Sequence, residues 1–172
     1  MTKASFSCML WLSIIMAINA SDPDPLQDFC VADITQANVK VNGFVCKDPK
    51  AVNASDFLFR GLGNPLLTNN TFGFNITQGN VQTLPGLNTL DISMNHGVFA
   101  PGGLNPPHIH PRASEIIFVM EGTLLVGFIS TSNVLFSQKL EKGDAFVIPR
   151  GLVHFQQNVG TSYTTTITSL NS

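Results

Sequence analysis

The sequence predicts an all-β fold, on the basis of three observations. Beyond residue 61 the chain contains short runs rich in β-branched and aromatic residues, at positions 90–94, 115–120, 123–130, 145–149 and 163–170. Turn signals built from glycine and proline separate these runs. No stretch in this region sustains a helical period. Short strands at regular spacing are typical of a β-sandwich or a β-barrel.

The composition limits the classes of partner. The chain has 172 residues, a length that suits one domain. Its 9 Lys and Arg residues nearly balance 11 Asp and Glu residues, the net charge is -2, and no basic run occurs. Nucleic acid and anionic membrane surfaces are therefore poor candidate partners. Because 44% of the residues are hydrophobic and only 12% are charged, the chain can bury a sizeable core.

The first 20 residues have the pattern of a secretory signal peptide. Lys3 provides a positive start, residues 6–17 form an apolar run, and small residues near Ala20 precede an acidic, proline-containing segment. The alternative is a membrane anchor, but the run is shorter than the ~20 apolar residues that span a bilayer. We expect cleavage near Ala20 and a secreted protein.

The cysteine count agrees with secretion. Cys8 lies in the signal segment, so Cys30 and Cys46 remain in the mature chain. In an oxidising compartment this pair is expected to form one disulfide, worth about 3 kcal/mol on the chain-entropy model. The alternative is two separate buried thiols. We expect residues 21–60 to form an irregular arm held by the disulfide and residues 61–172 to form the β-domain.

Three sequons predict sites for N-linked glycans on exposed segments. The pattern N-x-S/T occurs at Asn53, Asn69 and Asn75. Such short motifs arise easily, so we expect only one or two of them to carry a glycan. Asn75 is the weakest of the three candidates because Phe74 and Ile76 flank it.

Three of the four histidines lie in two compact groups. His108 and His110, two residues apart on an extended segment, project from the same face. Pro111 then forces a turn, which allows Glu115 to return on the next strand. His154 follows a Pro-x-Gly turn. Three imidazoles and one carboxylate suit a divalent metal. The alternative to a metal site is that these are ordinary surface or core histidines.

Two spaced patterns resemble the two motifs of the cupin superfamily. The first, G-x5-H-x-H-x4-E-x6-G, is matched by Gly102, His108, His110, Glu115 and Gly122. The second, G-x5-P-x-G-x2-H-x3-N, is matched by Gly143, Pro149, Gly151, His154 and Asn158. More specifically, residues 27–33, 103–115 and 151–158 resemble the three sequence boxes of plant germin-like proteins. The resemblance extends from about residue 21 to the last residue.

This resemblance implies a fold, a metal and candidate site residues. The fold would be a jelly-roll β-barrel, and Cys30 and Cys46 match the disulfide of the family. The resemblance implies that Mn²⁺ is bound by His108, His110, Glu115 and His154. Asn95 and Asn105 match two asparagines that contact substrate in germins of the oxalate oxidase type. From ligand chemistry alone, Fe²⁺ and Zn²⁺ are equally acceptable, so manganese follows from the resemblance.

The sequence departs from the family pattern at two places. His96 follows Asn95 where the oxalate oxidase type has arginine, which would alter the rim of the pocket. The chain ends at Asn171 and Ser172, where the family continues with C-terminal helices that join its dimers into hexamers. We therefore expect a homo-oligomer that is weaker or smaller than the hexamer of the family.

The resemblance leaves several functions open. The protein would be a defence-associated manganese protein of the plant apoplast, with a manganese-dependent redox activity that produces hydrogen peroxide. Two specific enzymes are alternatives, an oxalate oxidase and a superoxide dismutase, each acting on a small anion. Another alternative is a non-enzymatic storage or wall-associated cupin. The complete ligand set argues against a storage protein, and the two asparagines favour oxalate.

Overall fold

The computed structural model describes residues 28–35 and 43–171. The predicted signal segment, residues 1–20, therefore lies outside the described residues. Strands dominate the described part, with bounds β1 Phe74–Gly79, β2 Ser93–Phe99, β3 Leu104–His108, β4 Glu115–Glu121, β5 Thr123–Ile129, β6 Leu135–Glu141, β7 Ala145–Ile148, β8 Val153–Asn158 and β9 Thr164–Leu170. Three short 3₁₀ helices lie at Pro49–Ala51, Ala54–Phe57 and Pro85–Leu87. None of the helices described here is long and apolar enough to cross a membrane.

The strands form two antiparallel sheets with an apolar core between them. The strand order is β1-β2-β9-β4-β7 in the five-stranded sheet and β3-β8-β5-β6 in the four-stranded sheet. The core side chains come from both sheets and are Phe99, Ile117, Val119, Leu124, Val126, Leu140 and Ile148. Successive side chains of a strand point to opposite faces, and β4 shows this with its alternation of buried and exposed side chains. The prediction of an all-β fold is confirmed.

One predicted strand is misplaced. The run at 90–94 predicts a strand, but β2 begins at Ser93 and continues to Phe99. Thr89 and Asp91 have φ angles of 66° and 49°, left-handed conformations that belong to turns and interrupt an extended chain. The apolar side chains of Leu90 and Ile92 are accordingly exposed.

The predicted runs also leave out β1, β3, β6 and β8, and β6 shows the reason most clearly. Its first five residues are all exposed, because β6 lies at the edge of the four-stranded sheet. A strand exposed on both faces lacks the alternation of apolar and polar residues by which strands are detected. Its place in the sheet comes instead from pairing with β5 along its whole length.

A disulfide closes the N-terminal arm, and a buried amide of the β-domain holds the arm in place. Cys30 and Cys46 form the expected disulfide. Asn88, which is 2% exposed, binds both backbone groups of Phe44: its Nδ2 donates to the carbonyl oxygen at 2.9 Å, and its Oδ1 accepts from the N–H at 3.0 Å. Its Nδ2 also lies 3.2 Å from the Cys30 sulfur. The Asn88 side chain thus contacts both segments that the disulfide joins, one at Cys30 and the other at Phe44, two residues before Cys46.

We expect Asn88→Ala to lower the free energy of unfolding by about 2 kcal/mol, since it removes two hydrogen bonds worth about 1 kcal/mol each. Urea denaturation of the variant and the parent protein would measure the difference. Gln138→Ala is the control, because Gln138 is exposed on β6 and such a change should stay within about 0.5 kcal/mol. An Asn88→Ala protein as stable as the control would contradict this account of the arm.

Candidate metal centre

Elements of both sheets bring the predicted metal ligands together. His108 is the last residue of β3, and His154 on β8 is its direct cross-strand partner. His110 lies two residues beyond β3. Glu115 is the first residue of β4 in the opposite sheet. Because the two sheets face one another, the three imidazoles and the carboxylate converge at one end of the core.

The four side chains are close enough to share one ion. One ligand atom of each of His108, His110, Glu115 and His154 lies within 4.8 Å of the others. The Oε2 atom of Glu115 is 3.4 Å from Nε2 of His110 and 3.1 Å from Nε2 of His154. Glu115 is 5% exposed and His154 is fully buried. The structure thus contains a three-histidine, one-carboxylate site of the composition that the sequence predicts.

Backbone carbonyls orient two of the imidazoles. Nδ1 of His108 lies 2.9 Å from the Pro106 oxygen, and Nδ1 of His154 lies 2.9 Å from the Leu152 oxygen. A carbonyl oxygen can only accept, so each Nδ1 carries the proton. In the neutral imidazole Nε2 is then left with a lone pair. This is the tautomer that ligates a metal through Nε2.

The arrangement requires a cation between the ligands. With Nδ1 protonated, a neutral His154 presents a lone pair to a carboxylate oxygen only 3.1 Å away. Two acceptors at this distance repel one another unless a proton or a metal ion lies between them. Since three imidazoles share the single carboxylate of Glu115, the donor set fits a divalent cation.

The charge states of two ligands favour metal binding. Burial raises the pKa of Glu115, but the imidazoles of His110 and His154, when protonated at Nε2, donate hydrogen bonds to the carboxylate and lower its pKa to about 2. Burial also lowers the pKa of His108 below 6.5, and the hydrogen bond to Pro106 offsets this only in part. At neutral pH Glu115 is therefore anionic and His108 neutral, which are the forms that coordinate metals.

An amide pair lies beside the ligands. Nδ2 of Asn105, a predicted substrate contact, donates to Oε1 of Gln156 at 2.6 Å. Gln156 lies two residues beyond His154 on the inward face of β8 and is 3% exposed. Within the described chain its Nε2 is buried and has no hydrogen-bond partner. Gln156 was not predicted as a site residue from the sequence. Its i, i+2 spacing from His154 on a strand could have indicated that its side chain shares the face of the ligand.

Asn95, the other predicted substrate contact, faces a cavity beside the metal centre. The cavity has a volume of about 280 Å³ and includes His110 in its wall. Strand alternation alone does not decide whether Asn95 faces solvent or a cavity, and the structure places it in the cavity wall. His96 follows Asn95 and therefore points to the other face of β2, where its cross-strand neighbours are Thr77 and Ile167. It is not among the described residues that line this cavity.

The chain is similar to known proteins over most of its length. Residues 60–172 match the family model described as Cupin. Germin-like protein subfamily 2 member 1 of Arabidopsis thaliana is 56% identical over 154 residues, which cover 90% of this chain and 70% of that relative. Similarity at this level extends beyond the metal motifs to the whole β-domain.

Solved structures share the fold and much of the sequence. A recombinant oxalate oxidase in complex with glycolate superimposes with a TM-score of 0.83 at 48% identity, covering 88% of this chain and 77% of that chain. Peruvianin-I, described as a cysteine peptidase from Thevetia peruviana latex, gives a TM-score of 0.82 at 40% identity, with coverages of 88% and 93%. Two proteins with different described activities thus share this architecture.

Replacing one ligand tests the metal centre. We expect His110→Ala to lose most of its bound metal, because one of only four protein ligands is removed. Metal content per chain, measured by mass spectrometry on protein loaded with manganese, reports the result. His96→Ala is the matched control, since His96 lies on the opposite face of its strand and should retain the metal. Full occupancy in His110→Ala would show that the site is assigned wrongly.

Metal affinity should rise with pH. Protons compete with the metal for imidazole nitrogens, so affinity should fall as the pH drops through and below the histidine range near ~6.5. The pKa of Glu115, about 2, means that the carboxylate stays ionised throughout this range. Metal titrations between pH 4 and 7.5 would measure the dependence. Equal affinity at pH 5 and pH 7.5 would contradict ligation by histidine.

Proposed function

Because the chain belongs to the germin-like family of the cupin superfamily, we propose that it is a manganese protein whose redox chemistry yields hydrogen peroxide. The observation that carries this proposal is the three-histidine, one-carboxylate site, in which Glu115 and His154 are buried, next to an open cavity. Manganese prefers six ligands, so four ligands from the protein would leave about two positions for a small molecule. The bound ion would supply the redox-active centre. Family membership favours manganese over iron or zinc.

The protein's own residues have separable roles in this proposal. The carbonyl groups of Pro106 and Leu152 hold two imidazoles in the ligating tautomer. The carboxylate of Glu115 offsets part of the charge of a divalent ion. Asn105 and the unpartnered Nε2 of Gln156 provide amide N–H groups beside the ligands. Such donors stabilise negative charge on a bound substrate or as it develops during reaction.

Oxalate is the first candidate substrate. In this reaction the carbon–carbon bond of oxalate breaks and two electrons pass to O₂, which takes up two protons to form hydrogen peroxide, leaving two molecules of CO₂. Two observations support it: the similarity to an oxalate oxidase at 48% identity, and the presence of both Asn95 and Asn105 at the positions that the resemblance predicts.

Superoxide is the second candidate. Two superoxide ions and two protons give O₂ and hydrogen peroxide, and the reaction needs little beyond an accessible redox metal. The cavity that reaches His110 supports such access. A non-enzymatic storage or wall-associated role is the remaining alternative, and the complete ligand set argues against it.

The described residues do not support a thiol peptidase mechanism, despite the described activity of Peruvianin-I. A thiol peptidase requires a free thiolate as its nucleophile. Both cysteines in the part of the chain that the structure describes, Cys30 and Cys46, are joined in the disulfide. The peptidase activity is therefore not carried over to this chain.

Secretion to the plant apoplast, with a role in defence, completes the proposal. The disulfide supports an oxidising compartment. Asn53 and Asn69 are exposed and are the better candidates for glycans. Asn75 is less suitable, because its Nδ2 donates to the Leu67 oxygen at 2.8 Å. N-terminal sequencing and mass analysis of the protein recovered outside the cell would test both cleavage near Ala20 and glycosylation.

A homo-oligomer is also proposed, through the outer face of the five-stranded sheet. Val147 pairs with Ile116, Ile116 with Ser169, and Ser169 with Met94, so these side chains share one face. Three of them are exposed apolar residues, with Phe118 beside them. Contiguous apolar patches of this kind often mark association surfaces. Light scattering of the parent protein and of a Phe118→Glu variant would test this interface.

Asn105→Ala separates the two candidate reactions. We expect the variant to retain its metal, to lose about 100-fold in peroxide release from oxalate, and to keep most of any activity toward superoxide, because one amide donor is removed without altering a ligand. Parallel assays with the two substrates on the manganese-loaded protein would measure this. Gln157→Ala is the control, since Gln157 lies on the same strand as Gln156 but on its other face.

Two results would contradict the proposal at different levels. Unchanged oxalate oxidation in Asn105→Ala would exclude the asparagine from substrate binding while leaving the metal site intact. Failure of the metal-loaded parent protein to release peroxide from either substrate would overturn the redox function itself.

A further inference from the structure

The cavity beside the metal centre is larger than a two-carbon substrate needs. Its volume of about 280 Å³ is many times the ~10–15 Å³ that one water needs on the same measure. Oxalate has only six non-hydrogen atoms, and part of it would occupy the metal rather than the cavity. The volume lies just below the range of roughly 300–1,000 Å³ typical of small-molecule pockets.

The wall of the cavity combines one positive charge with amides and a hydroxyl group. Among the described residues that line the cavity, Arg112 is the one with a permanent charge and none is a carboxylate. Gln78 and Asn95 are direct cross-strand partners on β1 and β2, and Asn80 and Ser93 lie close by in sequence on the same wall. Net positive charge without an opposing acid favours an anionic ligand.

The amide nitrogens of Asn80 and Asn95 each make one hydrogen bond, to Gln78 and to Thr168, and each has a second N–H left for a ligand. Nδ2 of Asn80 donates to Oε1 of Gln78 at 3.3 Å, and the N–H of Gln82 donates to Oδ1 of Asn80 at 3.0 Å. Each of these two amide oxygens already accepts a hydrogen bond. Among the described contacts, Nε2 of Gln78 makes none and is available to donate to ligand oxygens.

The rest of the wall is apolar. Pro111, Ala113 and Leu170 complete the lining around His110. A wall with donor-rich amides on one part and aliphatic groups on another is complementary to a sugar, whose hydroxyl groups lie at the edge of the ring and whose C–H groups form its faces. The guanidinium of Arg112 adds two parallel N–H groups suited to a carboxylate.

We propose that this cavity binds a sugar acid, a polyhydroxylated monocarboxylate, with its carboxylate on Arg112 and its hydroxyl groups on Gln78, Asn80, Ser93 and Asn95. His110 is shared between the cavity and the metal centre, so the bound sugar acid lies next to the metal. Only this last relationship rests on the proposed function, because none of the groups that contact the sugar acid requires the metal.

The test uses D-glucuronate and D-glucose, which differ at one position, a carboxylate in place of a hydroxymethyl group. Isothermal titration calorimetry would measure the affinities for glucuronate and glucose on the full chain, first freed of metal with a chelator and then loaded with manganese. Oxalate, a shorter dianion, is the comparison ligand. We expect metal-free protein to bind glucuronate at least tenfold more tightly than either glucose or oxalate.

Variants at Arg112 assign the contact. Arg112→Gln should weaken glucuronate binding at least tenfold, and Arg112→Lys should give an intermediate affinity because it keeps the charge but loses the planar fork. Lys139→Gln, which makes the same change in charge on an exposed residue of β6, should bind as the parent does. Unchanged metal content in Arg112→Gln would show that the metal centre is intact.

Three results would overturn the proposal: no glucuronate binding to the parent protein, equal effects of Arg112→Gln and Lys139→Gln, or equal affinity of metal-free protein for oxalate and glucuronate. Peroxide assays on the same samples separate this proposal from the redox function. Glucuronate binding by a protein that releases no peroxide would refute the redox function and leave the cavity assignment standing.

Discussion

The organisation of the functional end of the molecule depends on one buried carboxylate. Glu115 is 5% exposed and its Oε2 lies between the Nε2 atoms of His110 and His154. Isolating a carboxylate from water is unfavourable unless positive charge compensates it. The surrounding imidazoles, two of them oriented by backbone carbonyls, allow a cation to provide that compensation. The same burial that would destabilise an empty site therefore makes the site selective for a bound cation.

The β-sheet register is what makes this arrangement possible. His108 faces His154 across the β3–β8 pair, and Glu115 faces Leu170 across the β4–β9 pair. A slip of one residue in either pair would turn the ligand to the outside of the barrel, since successive side chains alternate between faces. The apolar core and the metal centre thus depend on the same pairing. This coupling explains how a mostly apolar β-domain can position four polar ligands within a few ångströms.

The cavity extends the chemistry of the centre beyond its four ligands. It meets the metal site at His110 and is lined by side chains of β1, β2 and the segment after His110. Asn95 on one sheet and the Asn105–Gln156 pair on the other lie on two sides of the centre. The amide groups therefore lie beside the four ligands without being ligands themselves.

The sequence alone was sufficient to predict the fold class, the ligand set and the disulfide partners. The fold class and the cysteine pair depend on composition and local pattern, whereas the ligand set depends on the i, i+2 histidines, the turn at Pro111 and the resemblance of the motif around His154 to the second cupin motif. Only the tertiary structure identified Asn88 as the anchor of the arm, Gln156 as the partner of Asn105, and the shared cavity wall of Gln78 and Arg112. The physical reason is distance along the chain. Asn88 contacts a residue 44 positions away and Asn105 one 51 positions away, and such contacts exist only once the strand register has brought the sheets together.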